Sequence, residues 1–316
     1  MTRGMRFLAV AVTAGALALS AMPADAQTVR LMTGPQGGVW VPLGAALKNL
    51  WETGIPGMTV QTLPGAGIAN VRGVDEGRTE WGFGNSISTV DGINGAEPFP
   101  RRTQNVCNIA TLYPQYFQVV ALADAGINTV RDLRGRSIAV QTRGNTAEVA
   151  TRQMLQVVGL TYNDLRVNFQ ASYTDAVSLM KDGHAQVFTL GTTIPASSIM
   201  DLATSRPVRI LDLAEIVEGM RRINPGYVGV PLPANTYPGQ AQAVTQVGYM
   251  THLIAACNQP EDRIYAMTRI IGQNLPALQA IVRDMQGLTP RQMAQDIGVP
   301  LHPGAQRYYR EAGAIN

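Results

Sequence analysis

The chain is poor in charge. Only 15% of its 316 residues are Asp, Glu, Lys or Arg, against about 25% in an average soluble domain. Lysine is nearly missing: Lys48 and Lys181 are the only two, and every other basic side chain is arginine. The arginines are scattered, their densest groups being Arg101-Arg102, Arg131/Arg134/Arg136 and Arg221-Arg222. A nucleic-acid surface needs clustered cations, so no nucleic-acid partner is expected. The three histidines (His184, His252, His302) stand far apart and no Cys-x-x-Cys occurs, so neither a metal site nor a cofactor is expected. The G-x-S-x-G, G-x-G-x-x-G and G-K-[ST] patterns are all missing, which leaves no hydrolase elbow and no nucleotide loop. After residue 26 no long unbroken apolar run occurs, so the mature chain should not insert in a membrane.

The opening is built differently. Arg3 and Arg6 precede an apolar stretch from Phe7 to Leu19, and Ala24-Asp25-Ala26 forms an A-x-A cleavage signal. Residues 1–26 therefore read as a signal peptide cut near Ala26, which places the mature chain in an extracytoplasmic, oxidising compartment such as a periplasm. No cysteine stands at the cleavage point, where residue 27 is Gln, so no lipid anchor is expected. The two cysteines, Cys107 and Cys257, both lie in the mature part. They either pair in that compartment or stay as buried thiols among apolar neighbours.

Hydrophobic residues make up 46% of the chain, enough for a substantial core. Short apolar runs alternate with helical patterns. Strands are expected at 28–32, 58–62, 80–83, 106–111 and, after the Tyr113-Pro114 break, 117–123. A second series gives strands at 137–141, 166–169, 186–189 and 208–211. Leu43, Ala46, Leu47, Leu50 and Trp51 lie on one helical face, with Pro42 allowed in the first turn. A helix from about Thr146 to Val158 has Asn145 as its N-cap, Glu148 at the capping-box position and Gly159 as its stop. Residues 246–255 return the chain toward its first half, and helices follow. This alternation predicts an α/β protein of two similar lobes, each a mostly parallel sheet flanked by helices, joined by two crossing strands. The first lobe is expected to hold residues 27–118 and 252–316 and the second 119–251, with a ligand cleft between them.

Ligands of open α/β sheets bind beyond the carboxyl ends of the strands. The segments there are rich in glycine and small polar residues: Thr33 to Trp40, Pro64 to Gly67 with Asn70, Gly84-Asn85-Ser86, Thr142 to Thr146 and Thr189 to Thr193. Singly, such loops are turns and caps. Five at corresponding strand ends point to a shared cleft, several of them feeding helix N-termini that favour anions. No histidine has a serine or cysteine beside it in sequence, so binding without catalysis is expected.

Five further stretches carry a family likeness: TGPQGGVWVPLG from Thr33, TLYPQYFQVVAL from Thr111, KDGHAQVF from Lys181, PANTYPGQ from Pro233 and LHPGAQRYYRE from Leu301. With them the mature chain resembles the extracytoplasmic solute receptors of TRAP transporters, TAXI subgroup. The resemblance implies a two-lobed, type II periplasmic-binding fold that closes on an amino acid or other small organic anion and delivers it to TRAP permease subunits. It implies a ligand set of Thr33, Gly37, Gly38, Val39, Trp40, Asn85, Ser86, Thr142, Arg143, Asn145, Thr146 and Ala147, to which the strand-end reading adds Gly191, Thr192 and Thr193. A monomer is expected. The family loop around 142–147 is written with Gly and Ser, whereas here it reads QTRGNTA, so Arg143 is expected to clamp a ligand carboxylate. The alternative is a receptor of the same fold that presents its solute to a signalling partner.

Overall fold

The computed structural model describes Met1 and residues 27–316. The expected signal peptide beyond Met1 lies outside the described residues. Three strand–helix units come first: β1 (Gln27–Met32) and α1 (Trp40–Gly54), β2 (Met58–Leu63) and α2 (Gly67–Asp75), β3 (Trp81–Asn85) and α3 (Ser86–Asn94). The long strand β4 (Cys107–Leu122) leads into β5 (Ser137–Gln141), α4 (Thr146–Val157), β6 (Arg166–Gln170), α5 (Tyr173–Lys181) and β7 (Val187–Thr192). Then come α6 (Ser197–Ser205), β8 (Val208–Ile210), α7 (Ala214–Ile223) and β9 (Val228–Leu232). β10 (Val244–Ala255) returns, and α8 (Glu261–Gln273), α9 (Leu275–Gln279), α10 (Pro290–Met293) and α11 (Pro303–Glu311) end the chain.

The strands join in one mixed sheet of order β2-β1-β3-β10-β4-β7-β5-β6, with β8 on β4 and β9 on β10. β1 is parallel to β2 and β3, and β5 is parallel to β6 and β7. β4 and β10 are antiparallel to each other and to the strands beside them. The two parallel trios are the sheets of two lobes, and β4 and β10 run through both.

Side-chain alternation builds the cores. In the second lobe Val119 and Ile138 enter one apolar cluster while their neighbours Val120 and Ala139 enter another on the opposite sheet face, as the two-residue strand period requires. In the first lobe Leu43, Leu47 and Trp51 of α1 pack with Trp81, Phe83 and Ile264. The C-terminal segment is stitched to β4: His302 N–H donates to Asn108 O at 2.9 Å and Tyr309 OH to Ile109 O at 2.6 Å.

Three local expectations change. Residues 106–111 and 117–123 are one strand rather than two. Pro114 interrupts nothing because β7 joins β4 only from Tyr116, so its missing N–H leaves no ladder bond unmade on that edge. β9 was not apparent in the sequence because Pro231 stands inside it; the strand pairs with β10 alone, an edge position where proline is tolerated. Asn145 caps α4, its Oδ1 accepting from Ala147 N at 2.8 Å. Glu148, however, does not reach back to complete a capping box. It pairs with Arg152 at 2.9 Å and accepts from Tyr162 OH at 3.2 Å.

The cysteines are paired. Cys107 opens β4, Cys257 follows β10, and their Cα atoms stand 5.1 Å apart. Among the described residues no helix is long and apolar enough to cross a membrane.

Candidate ligand-binding cleft

Five helices begin at one place between the lobes. α1 contributes Gly38, Val39 and Trp40, α2 contributes Gly67, and α3 its N-cap Asn85. From the other lobe α4 contributes Asn145 and Ala147, and α5 contributes Tyr173. Gln115 and Tyr249 of the crossing strands line the floor with Gly191 and Thr192 of β7 and with Pro35. The convergence follows from topology: in each lobe the parallel strands end on the side facing the other lobe, and each helix starts where its strand stops. The first N–H groups of a helix have no intrahelical acceptor, and the helix dipole is positive there. The five dipoles therefore favour negative charge in the cavity, although Ala69 N, Ala147 N and Tyr173 N already have acceptors within the protein and, among the described residues, no Asp, Glu, Lys, Arg or His lines it.

The floor is tied together by polar groups of the crossing strands. Gln115 has its amide orientation fixed by its partners: Nε2 donates to Gly191 O at 2.9 Å, while Oε1 accepts from Trp40 Nε1 at 3.0 Å and Thr251 Oγ1 at 2.6 Å. Trp40 is also stacked on Phe83, ring centres 5.4 Å apart. Tyr173 OH donates to Gly191 O at 3.0 Å. Burial pushes the Tyr173 phenol up to about 12, with weak opposition from its hydrogen bonds. Tyr249 is pushed well above the usual phenol range, by burial first and then by Tyr173 and Tyr227. Both rings are neutral hydroxyls at ordinary pH. Asn85 is 3% exposed, and its Oδ1 is a buried acceptor without a partner among the described residues.

Behind this floor, Asn70 holds the strand ends in place. Its Nδ2 donates to Thr33 O at 2.8 Å and Phe83 O at 2.9 Å, and its Oδ1 accepts from Ala66 N at 3.0 Å. One buried amide thus fixes the exits of β1 and β3 and the start of α2.

The lobes touch across the cleft. Ala69 N donates to Gly144 O and Tyr173 N to Gln36 O, both at 3.0 Å. Ser88 Oγ and Thr146 Oγ1 are 2.9 Å apart. Gly67 permits this approach: a Cβ there would stand 2.1 Å from Thr146 Oγ1 and 2.7 Å from Asn85 Nδ2. Gly191 is constrained likewise, since its Cβ would stand 2.2 Å from Tyr249 OH. With the lobes this close the cavity measures about 20 Å³, room for about one water. An organic solute does not fit between the lobes in this arrangement.

Of the residues expected to bind, Gly38, Val39, Trp40, Asn85, Asn145, Ala147, Gly191 and Thr192 line this cavity. Thr146 closes it against Ser88. Gly37 and Thr193 line an adjoining groove. Thr33 serves the backbone, its N–H and Oγ1 both donating to Leu63 O at 2.8 and 3.0 Å. Ser86 Oγ accepts from Met250 N at 3.2 Å. Thr142 and Arg143 are exposed, and Arg143 lines a different pocket. Asn145, the N-cap of α4, is the residue of that loop that lines the central cavity. Gln115, Tyr173 and Tyr249 also line the cavity and lie outside the residues expected to bind, while Gly67 ends the strand-end segment Pro64 to Gly67 that was expected at the cleft. Tyr173 had the available signal, for it follows the strand at 166–170 and the Ser172 cap, whose Oγ accepts from Asp175 N at 3.0 Å. The histidines lie elsewhere. His252 is buried between Thr89 Oγ1 at 2.8 Å and Asn108 Oδ1 at 3.1 Å, His302 caps α11, and His184 is exposed.

Known proteins share this architecture. The model of the NMT1-like family matches residues 31–313. PhnD1 from Prochlorococcus marinus, solved in complex with methylphosphonate, aligns with a TM-score of 0.55 at 10% identity, over 92% of this chain and 100% of its own. A protein described as a periplasmic transporter aligns at 0.54 and 11% identity, over 93% and 94% of the two chains. Tv2483, bound to L-arginine, aligns at 0.50 and 12% identity, over 82% and 90%. At these identities the likeness is one of fold: two α/β lobes of the periplasmic-binding kind, joined by crossing strands.

Proposed function

We infer the function from this premise: the chain belongs to the NMT1-like family. On it we propose a periplasmic receptor, exported by a cleaved signal peptide, that captures a small organic anion between its lobes. The more specific reading is the receptor of a TAXI-type TRAP transporter, handing its solute to membrane permease subunits. Residues 27–118 with 252–316 and residues 119–251 act as the two bodies that close.

The observation that carries this reading is the convergence of five helix N-termini from both lobes on one cavity with no charged side chain. The converging dipoles favour an anion there without a guanidinium. The unpaired Asn85 Oδ1 asks in addition for a donor on the solute, so an amino acid or hydroxy acid suits the cleft better than a simple carboxylate. Gln115, Tyr173 and Tyr249 supply neutral polar contacts and Trp40 an apolar wall. Among the described residues that line the cleft, none is a nucleophile with an adjacent base, which favours binding over turnover.

The test is mass spectrometry of the solute that accompanies protein purified from its native compartment, followed by calorimetry with that compound. A small acid carrying an N–H or O–H is expected. A neutral or cationic solute would overturn the reading.

A further inference from the structure

We infer that the seam between the lobes carries a second binding site, for a small inorganic oxyanion of the phosphate or sulfate type. A separate cavity of about 200 Å³ lies beside the cleft, walled by Arg72, Glu97 and Pro98 from one side and Arg143, Glu148 and Arg152 from the other. The Ala69–Gly144 backbone bond at 3.0 Å crosses the same seam. Three guanidinium groups thus meet two carboxylates, and the carboxylates are not shared evenly. Glu148 is 1% exposed in its side chain and is committed to Arg152 at 2.9 Å. Glu97 is 85% exposed and, among the described residues, forms an ion pair only with Arg152, at 3.6 Å.

Arg72 and Arg143 form no ion pair among the described residues. Arg72 is held in place: its guanidinium carbon lies 5.3 Å from the centre of the Phe99 ring, and Nη2 donates to Pro98 O. Its buried Nε–H has no acceptor among the described residues. A cation kept in fixed orientation with unused donors is under-satisfied, and an unpaired donor is costly. A tetrahedral oxyanion offers several acceptors at once, which is what guanidinium forks bind best.

The position has a consequence for motion. Arg72 and Arg143 lie on opposite sides of the seam, so an oxyanion between them holds only while the lobes are together. It therefore favours the closed state, and closure in turn favours the oxyanion. Arg143, which does not face the central cleft, finds its anion here.

The test is calorimetric titration of the purified protein with sodium phosphate and sodium sulfate, in an amine buffer at ionic strength held constant with chloride. Both oxyanions should bind with millimolar affinity or better. Arg143→Gln should weaken that binding by about tenfold to a hundredfold, Arg72→Gln by a similar factor, and Glu97→Gln should strengthen it. Arg143 is exposed, so Arg143→Gln should keep its melting temperature in oxyanion-free buffer, which separates lost binding from lost folding. Hydrogen exchange at the Ala69 amide should slow on adding phosphate to the parent protein and stay unchanged in Arg143→Gln. No binding, or equal binding by Arg143→Gln, would overturn the second site; the latter would assign the phosphate to the helix N-termini of the central cleft.

Discussion

His252 is neutral where most histidines titrate. Burial pushes it down to about 3, and both ring nitrogens have partners. In the unfolded chain it takes a proton near pH 6.5. Its contribution is therefore present above that pH and is lost as pH falls from 6.5 toward 3, on the order of a few kcal/mol. Asp91 works in the opposite sense. Burial raises it to about 6, against a smaller lowering by the Asn224 amide, which donates to it at 3.0 Å. Its folded state prefers the neutral acid, so its contribution is present below the unfolded value and is lost as pH rises through 6. The two offset each other between about pH 6 and 4. Asp91→Asn, which keeps an acceptor for Asn224, should raise the melting temperature at pH 7.5 by a few degrees at most and leave it unchanged at pH 4. Thermal scans at the two pH values check this; equal shifts at both would show that titration is not the cause.

At the scale of elements the glycine at the start of α2 sets how closely α4 can approach. Gly67→Ala puts a methyl group on Thr146 Oγ1, so the lobes must stay apart. Its expected effect is a loss of at least tenfold in affinity for the co-purified solute with little change in the melting temperature of the solute-free protein. Adding Thr146→Ala removes the obstructing hydroxyl and should restore part of the affinity, which calorimetry on the single and double variants measures. A second consequence lies at α5: Tyr173→Phe removes the phenol bonded to Gly191 and should cost about 1 kcal/mol of stability in denaturant unfolding. These elements also mark what can be read from sequence. Strand ends and caps such as Asn85 and Asn145 were legible, because a strand, a small polar residue and a helix follow one another locally. Gln115 and Tyr249 were not, because they sit inside long strands where only the sheet order shows which side chains meet. Arg143 was misplaced for the same reason: sequence gives its loop but not the direction in which its side chain leaves it. Pro114 and Pro231 hid strand continuity because their tolerance depends on which edge has a neighbour.

For the whole molecule, β4 and β10 are the scaffold shared by both lobes and, on the proposed closure, their hinge. The Cys107–Cys257 disulfide joins them at their first-lobe ends and spans 150 residues of sequence. Closing so long a loop restrains the unfolded chain, and its loss typically costs about 2–5 kcal/mol. Reduction should therefore lower the melting temperature distinctly. It should not alter lobe motion, because the bond lies at the far ends of the crossing strands and the cleft at their middle. Reduced protein that kept its stability but lost solute affinity would contradict that assignment. On the proposed closure, the seam bonds between Ala69 and Gly144, Tyr173 and Gln36, and Ser88 and Thr146 belong to the closed form and part to admit a solute. Small-angle scattering of the protein stripped of solute, and again at saturation with the co-purified compound, tests this most directly. Lobe closure predicts a smaller radius of gyration at saturation; an unchanged radius, with calorimetry confirming that the site is filled, would contradict it.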